Sequence, residues 1–275
     1  ISRFTLREAY VDAFVGRFDI RVGHQIVVWG RADGLNPTDN ITPKDMLARS
    51  PDEDDRRLAN FLLRTYYNSP YVRLEGIWIP FYRPSRIPTE FISFPENVIY
   101  SGYDYPSARL EDSAFALRLN LELPSLDGSF SYFNGHNPFP GMNAELLPLS
   151  PPGVPVPILN AFLKSYRMQV FGADFATTLG GFGLRGEAAY RWPHEDYMAS
   201  FYVINPDLYY VAGIDREFSG GLSLIFQYLG RYVIEYEKLQ PPADPSLLPL
   251  FRLEEKNRLL ASQQQELSHA LSLRI

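Results

Sequence analysis

A hairpin of alternating residues at the start of the chain most constrains its fold. From Leu6 to Val15, the residues Ala9, Val11, Ala13 and Val15 alternate with Glu8, Tyr10, Asp12 and Phe14. Gly16-Arg17-Phe18 turns the chain, and from Asp19 to Gly30 the residues Ile20, Val22, Ile26 and Val28 alternate with Asp19, Arg21, Gly23 and Gln25. A period of two on both sides of a tight turn predicts a β-hairpin whose two faces meet different surroundings. In a soluble sandwich the apolar face packs inward, whereas in a membrane barrel it meets lipid and the polar face lines the interior. Strand length separates the two, since soluble strands run about five or six residues and a tilted spanning strand about nine to eleven. Both strands of the hairpin are expected to reach the longer figure.

The same pattern returns along the chain. Tyr71 to Ile79 sets Val72, Leu74 and Trp78 opposite Arg73 and Glu75, and Phe115, Leu117, Leu119, Leu121 and Leu123 alternate with Ala116, Arg118, Asn120 and Glu122. Ser125 to Gly128 reads as a turn before Ser129 to Asn134. Tyr166 to Thr178 and Gly183 to Trp192 flank a turn at Leu179 to Phe182, with a bulge expected near Asp174, where the alternation slips. Leu208 to Ile214 and Leu222 to Tyr236 flank Phe218-Ser219-Gly220, and Ser268 to Ile275 closes the series. About ten strands result.

Between them lie stretches rich in Gly, Pro and Asx: 31–69 with a short helix expected at 56–66, 81–111, Gly135 to Ala161 including Pro151-Pro152-Gly153, and Leu239 to Gln265. Short turns near residues 17, 126, 180 and 219 and long loops elsewhere suit a barrel whose short side faces the periplasm. The stretch 81–111 breaks that rule by falling on the short-turn side, which makes it an irregular connection or plug. The stretch 31–69 is a long loop able to fold inward as a constriction.

Composition agrees. The chain of 275 residues is 15 % aromatic, carries a net charge of -6 and contains no Cys. No apolar run approaches the roughly 20 residues of a transmembrane helix. Without Cys there are no disulfides, Cys-ligated zinc sites or thiol chemistry. The mild acidity argues against a nucleic-acid partner. A last strand ending on Ile275 rather than on an aromatic residue, and a start at Ile1, lead us to expect a barrel incomplete at both ends. The expected fold is therefore all-β: one domain, 1–275, forming an antiparallel transmembrane outer-membrane β-barrel that is part of a larger one.

Leu6 to Tyr10, Arg21 to Gly34 with His24, Trp29 and Gly30, and Asn40 to Asp45 resemble an outer-membrane barrel family of Gram-negative bacteria, of unknown function and loosely related to the alginate-export porins. Glu75 to Pro80, Gly183 to Arg191 and Ser268 to Arg274 extend the resemblance over most strands and few loops. It implies residence in the cell outer membrane among outer-membrane lipid, and chains longer than this one. It also implies neighbouring periplasmic exporters or lipid-carrier proteins as partners, and transport of hydrophobic or polymeric material. The family has no catalytic residues to carry over.

The polar face holds Glu8, Asp12, Asp19, Arg21, Arg73, Glu75, Arg118, Asn120, Glu122, Arg185, Glu187, Arg191, Asp215 and Arg274. Acids and bases nearly balance, so these residues either brace the interior as cross-strand ion pairs or line and tune an aqueous path. Trp29, Arg31, Asp33, Asn36, Asp39 and Asp45 form the candidate constriction. Their spacing does not match an EF-hand loop, and no metal or cofactor is expected. His24, His136, His194 and His269 lie near no Gly-x-Ser-x-Gly motif, so catalysis is not expected. Trp78, Tyr190, Trp192, Tyr210 and Tyr228 suit interfacial girdles. Tyr100, Tyr103 and Tyr105 leave room for a carbohydrate-stacking platform. The function read from the residues is a porin-like channel or exporter, or else a structural barrel that holds a partner complex.

Overall fold

The computed structural model describes residues 6–50, 52–92, 94, 97–147 and 158–275; Pro151-Pro152-Gly153, read above as loop, lies outside them. In chain order the strands are β1 (Ala9–Val15), β2 (Phe18–Gln25), β3 (Asn60–Asn68), β4 (Val72–Ile79), β5 (Val98–Asp104), β6 (Ala114–Leu123) and β7 (Leu126–His136). They continue with β8 (Gly141–Leu146), β9 (Leu159–Lys164), β10 (Arg167–Leu179), β11 (Phe182–Pro193), β12 (Asp207–Glu217), β13 (Ser223–Val233) and β14 (Leu267–Arg274). One helix, α1 (Leu248–Leu260), precedes β14. Among the described residues no helix is long and apolar enough to cross a membrane.

Eleven strands form one antiparallel sheet in the order β1-β2-β3-β4-β6-β7-β10-β11-β12-β13-β14. Each pairs with the next in this meander, and β1 and β14 are its two edges. The three others make a small sheet in which β9 lies between β5, parallel to it, and β8, antiparallel to it.

Several expectations change. The segment 56–66 is not a helix: a short 3-10 turn at Glu53–Arg56 precedes β3. The period of two in β3 is masked because Leu62, on the inner face, is as apolar as Phe61 and Leu63 beside it. With β3 restored, the stretch 31–69 ends in a strand, the turn at 69–71 joins β3 to β4, and eleven strands replace about ten. The stretch 81–111 then falls on the same side as every other long connection, so the exception to the alternation disappears. It is not irregular throughout, since it holds β5; the stretch 135–161 holds β8 and part of β9, and the stretch 239–265 holds α1. The turn after β6 is Pro124-Ser125, with Leu123 opposite Leu126. No bulge occurs at Asp174, which sits in an unbroken ladder opposite Glu187. The first hairpin is shorter than expected, with seven residues in β1 and eight in β2, whereas β6 to β13 in the large sheet run from ten to 13.

The sheet carries its polarity the wrong way round for a protein in water. Along β6, Phe115, Leu117 and Leu119 are exposed while Ala116, Arg118 and Asn120 are buried. Along β10, Phe171 and Phe175 are exposed while Gly172 and Asp174 are buried. The inner face has two zones. Near the long connections it is apolar, and Ile77, Ala116, Phe133, Val170 and Ala189 pack against Val27, Trp29 and Ile41 of the connection after β2. Toward the short turns it is polar. The slip in pattern at Asp174 marks the border between these zones and not a defect in the strand.

The sheet is also strongly curled. Trp29 bonds Glu75 of β4, and Asp33, four residues later, bonds Arg274 of β14. Laid flat, the seven strand spacings between β4 and β14 would separate them by about 34 Å, whereas four residues extend at most about 14 Å. Strand side chains stand across the sheet rather than along it, and the same segment also meets Leu62 of β3, Phe133 of β7, Val170 of β10 and Glu187 of β11. The inner face therefore wraps around residues 26–45.

Helix α1 docks on the small sheet by a polar clamp. The buried Asn257 carboxamide accepts from the Met142 N–H at 2.8 Å and donates to the Met142 carbonyl at 2.9 Å, completing the free edge of β8 as a strand would. It also donates to the Phe201 carbonyl at 3.2 Å. Leu253 packs beside it on Met142, Leu159 and Ala161. Asn257→Ala leaves the Met142 amide buried and unpaired, a loss of roughly 1–3 kcal/mol. Hydrogen exchange should report it as a Met142 amide that exchanges at least tenfold faster while the β6–β7 amides keep their protection.

Candidate functional site

The site is the internal segment 26–45 and the charges that hold it. Glu8, just before β1, accepts from the Ile26 N–H at 2.8 Å where the segment leaves β2. Thr42 closes the other end by donating to the Val27 carbonyl at 2.7 Å and accepting from its N–H at 2.8 Å.

Glu187 is the main anchor. One of its oxygens accepts from the Thr38 N–H and hydroxyl, both at 2.8 Å; the other accepts from the Arg31 N–H at 3.1 Å and from the Ala32 N–H and Asn36 Nδ2, both at 3.2 Å. This density of backbone donors needs a close approach. Gly30 provides it with φ +104, where a Cβ would collide with the Glu187 carboxylate. Directly opposite on β10, Asp174 pairs with Arg31 and, at 2.8 Å, with Arg118, which also bonds Ser129 at 2.9 Å. Arg31, Arg118, Asp174 and Glu187 together sum to zero charge. Such balance lets charges leave water, because an unpaired buried ion costs several kcal/mol.

Two further nodes follow the same rule. Glu75 accepts from Arg64 at 2.6 Å and from the Trp29 indole at 3.2 Å. Asp39 pairs with Arg57, which also bonds Asp54 at 2.9 Å; burial pushes the Asp39 carboxyl above its ordinary range against the pull of Arg57. Asp33 reaches Arg274 at 3.2 Å, and the Gln227 carboxamide, oriented to match its partners, bonds the Asp33 backbone at 2.9 and 3.0 Å.

The residues expected to line the interior do share one face of the sheet. Glu75, Arg118, Arg191 and Glu187 take part in the buried network described here and below. Asp12 pairs with Arg21 directly across β1 and β2 at 2.6 Å, and Arg21 stacks on Tyr10 at 3.9 Å. Asp19 accepts from Asn68 at 2.8 Å and faces Arg73 at 3.8 Å. Asn120 donates to the Arg73 carbonyl at 3.4 Å, and Arg185 meets Asp215 at 3.2 Å. Glu122 stands exposed at the short-turn end. Of the expected constriction, Trp29, Arg31, Asp33 and Asn36 contact the wall. Asp39 and Asp45 do not, because they pair with Arg57 and, at 2.7 Å, with Arg86 of the long connections.

Sequence reasoning missed Asp174, Arg64 and Asp207. Asp174 is in phase with Gly172 and Ala176, and that spacing could have found it. Arg64 was hidden by the false helix. Asp207 opens its strand beside a loop, where no alternation yet exists. Among the described residues, no group of three His, Asp or Glu side chains converges as a metal site. His24 and His269 lie on the outer face beside Phe61 and Tyr228, the buried His136 lies beside Tyr82, and the exposed His194 meets Asp196 at 3.2 Å.

A cavity of about 720 Å³ opens at the long-connection end, between residues 36–46, the connection after β11 and the end of α1. Tyr166 lies in its wall, its hydroxyl pushed up to about 12 by complete burial. Compared with protein-family models, curated proteins and solved structures, the chain matches none.

Glu187→Ala removes the acceptor for five donors and the negative charge that offsets the second guanidinium on Asp174, at a cost of about 3–5 kcal/mol. Trypsin should then cut after Arg31 in protein that still carries the full β-sheet signal by circular dichroism. Uncut protein would mean that Glu187 is not the anchor.

Proposed function

We propose that this chain is the wall and internal segment of an outer-membrane β-barrel that acts as a porin-like channel or exporter, with residues 26–45 as its constriction. The single observation that carries the reading is the inverted polarity of the sheet. Exposed rows of Leu, Phe, Tyr and Trp would cost about 25 cal/mol per Å² in water and cost nothing against lipid. Several further features support it. All long connections leave from one end and all short turns from the other, as in outer-membrane barrels. Of the expected girdle, Trp78, Tyr190 and Trp192 fall with Phe115, Tyr132 and Phe171 in the two outward ladder rows nearest the long connections, where an interfacial girdle belongs, whereas Tyr210 and Tyr228 lie in the next two rows, toward mid-strand. The strands of ten to 13 residues have the length a tilted membrane strand needs.

The solute is proposed to pass where the internal segment now lies. Side-chain bonds and packing hold that segment to the wall, and its backbone bridges, Lys44 with Arg57 and Asp45 with Arg86, go to the long connections and not to the strands of the large sheet, so it can shift without opening the sheet. The resemblance read from the opening strands points to hydrophobic or polymeric solutes and to a periplasmic partner.

Leu119→Arg, in the middle of the exposed row on β6, should cost about 2–4 kcal/mol in urea titrations of protein folded into lipid vesicles; a loss under about 0.5 kcal/mol would show that this face does not meet lipid. Transport is tested in planar bilayers. Wild-type protein should conduct weakly and steadily, and the Asp174→Ala/Glu187→Ala double variant at least twofold more. Silence from both, in protein shown to be folded, would overturn the channel and favour a structural barrel that anchors a partner complex.

A further inference from the structure

One buried charge cluster does not balance. Asp207, fully buried at the start of β12, accepts from Arg191 at 2.7 Å across the β11–β12 pair and from Gln263 at 2.8 Å. Arg231 reaches toward the same carboxylate at 3.7 Å. Two guanidinium groups thus share one carboxylate with no second one opposite it, whereas Asp174, which Arg31 and Arg118 also share, has the Glu187 carboxylate directly across the ladder, Arg64 pairs with Glu75, and Arg57 pairs with Asp39. Arg231 is the member left over. One of its nitrogens donates to the Ala261 carbonyl and its plane stacks on Tyr209 at 4.5 Å, while its Nε and other Nη have no protein partner among the described residues.

Arg191 and Arg231 both line the 720 Å³ cavity. The other walls are mixed: Phe139, Phe201 and Ile204 face the same space, as do the charged residues Lys44, Glu237, Glu254 and Arg258 and the Asp39 carboxylate, which is paired with Arg57. Small-molecule sites fall between about 300 and 1,000 Å³ and combine apolar walls with a few fixed polar groups. Arginine at such a site presents a planar fork suited to carboxylate or phosphate. Gln263 makes the geometry rigid: it exchanges bonds of 2.9 Å with both backbone groups of Asn205, tying the end of α1 to the connection after β11. The arginines are therefore held in place before any ligand arrives.

We infer that this cavity binds an amphipathic anion, with a single carboxylate or phosphate head on Arg231 and an apolar body against Phe139, Phe201 and Ile204. The inference rests on the channel reading for its meaning, since residues 36–46 form one wall of the cavity and the constriction beneath it, but the binding itself does not require transport.

The test is calorimetric titration of the full chain, held in amphipol, with three probes of equal tail: laurate, dodecyl phosphate and dodecanol. At least one anion should bind ten or more times tighter than dodecanol, and which of the two prefers the site identifies the head group. Arg231→Gln should weaken that anion at least tenfold and leave dodecanol unchanged, Arg231→Lys should recover part of the loss, and Arg185→Gln, toward the short turns, should change nothing. Equal binding of anions and alcohol by the wild type, a measurement that needs no variant to fold, would overturn the site; so would an Arg231→Gln variant that binds the anion as before. Binding without conductance would remove the channel and keep the site, and conductance without binding would do the reverse.

Discussion

Burying charge is permitted where it is paired, and the arrangement of this molecule depends on that constraint. A curled sheet that turns its polar side chains inward must neutralise them at short range, because the desolvation of a lone ion exceeds what a fold of marginal stability can absorb. The internal segment meets the requirement. Arg31 supplies the cation that Asp174 and Glu187 need beyond Arg118, and its own N–H and that of Ala32 supply donors to Glu187. The wall is therefore electrostatically incomplete without the segment, and the segment, which forms no helix or strand of its own, takes its position from the wall. Each specifies the position of the other.

This mutual dependence also explains the two zones of the inner face. Trp29 lies at their border, its ring packed among Ile77, Ala116 and Phe133 and its indole N–H directed to Glu75. On one side of it the segment offers Val27 and Ile41, and the wall replies with aliphatic residues. On the other side it offers backbone N–H groups, and the wall replies with carboxylates. A gradual change would leave apolar groups against ions. The amphipathic indole makes an abrupt one tolerable.

Much of this was legible in the residues. Wherever one face meets apolar surroundings and the other is polar, as along Phe115 to Leu123, the period of two survives and both strand and face can be read. It fails where both faces are apolar. Leu62 points into the buried zone and Phe61 and Leu63 point away, so β3 loses its alternation and its polar flank at Glu53–Arg56 imitates a helix start. The small sheet was illegible for another reason. The pairing of β5 with β9 is parallel and joins residues about sixty positions apart, and nothing local in Val98–Asp104 encodes a partner that distant. Within the site, cross-strand pairs such as Asp12 with Arg21 follow from register. The anchoring of a loop on Glu187 does not, because three of its five donors are backbone N–H groups that carry no sequence signal.

The imbalance at Asp207 gains weight in this setting. Around Asp174 the second guanidinium faces a second carboxylate, that of Glu187, whereas Arg231 faces none and could have been a neutral residue stacked equally well on Tyr209. An extra guanidinium held in place, with unpartnered N–H groups and at the wall of the one end of the sheet that carries long connections, is costly for stability alone. It lies toward the long connections from the Glu187 anchor, whose donors belong to residues 31–38. An anion seated there would bind beside the strand whose Glu187 keeps residues 31–38 in place, since Arg191 lies two positions beyond Ala189 and four beyond Glu187 on the inner face of β11. Ligand binding and the grip on the internal segment are thus mounted on one strand.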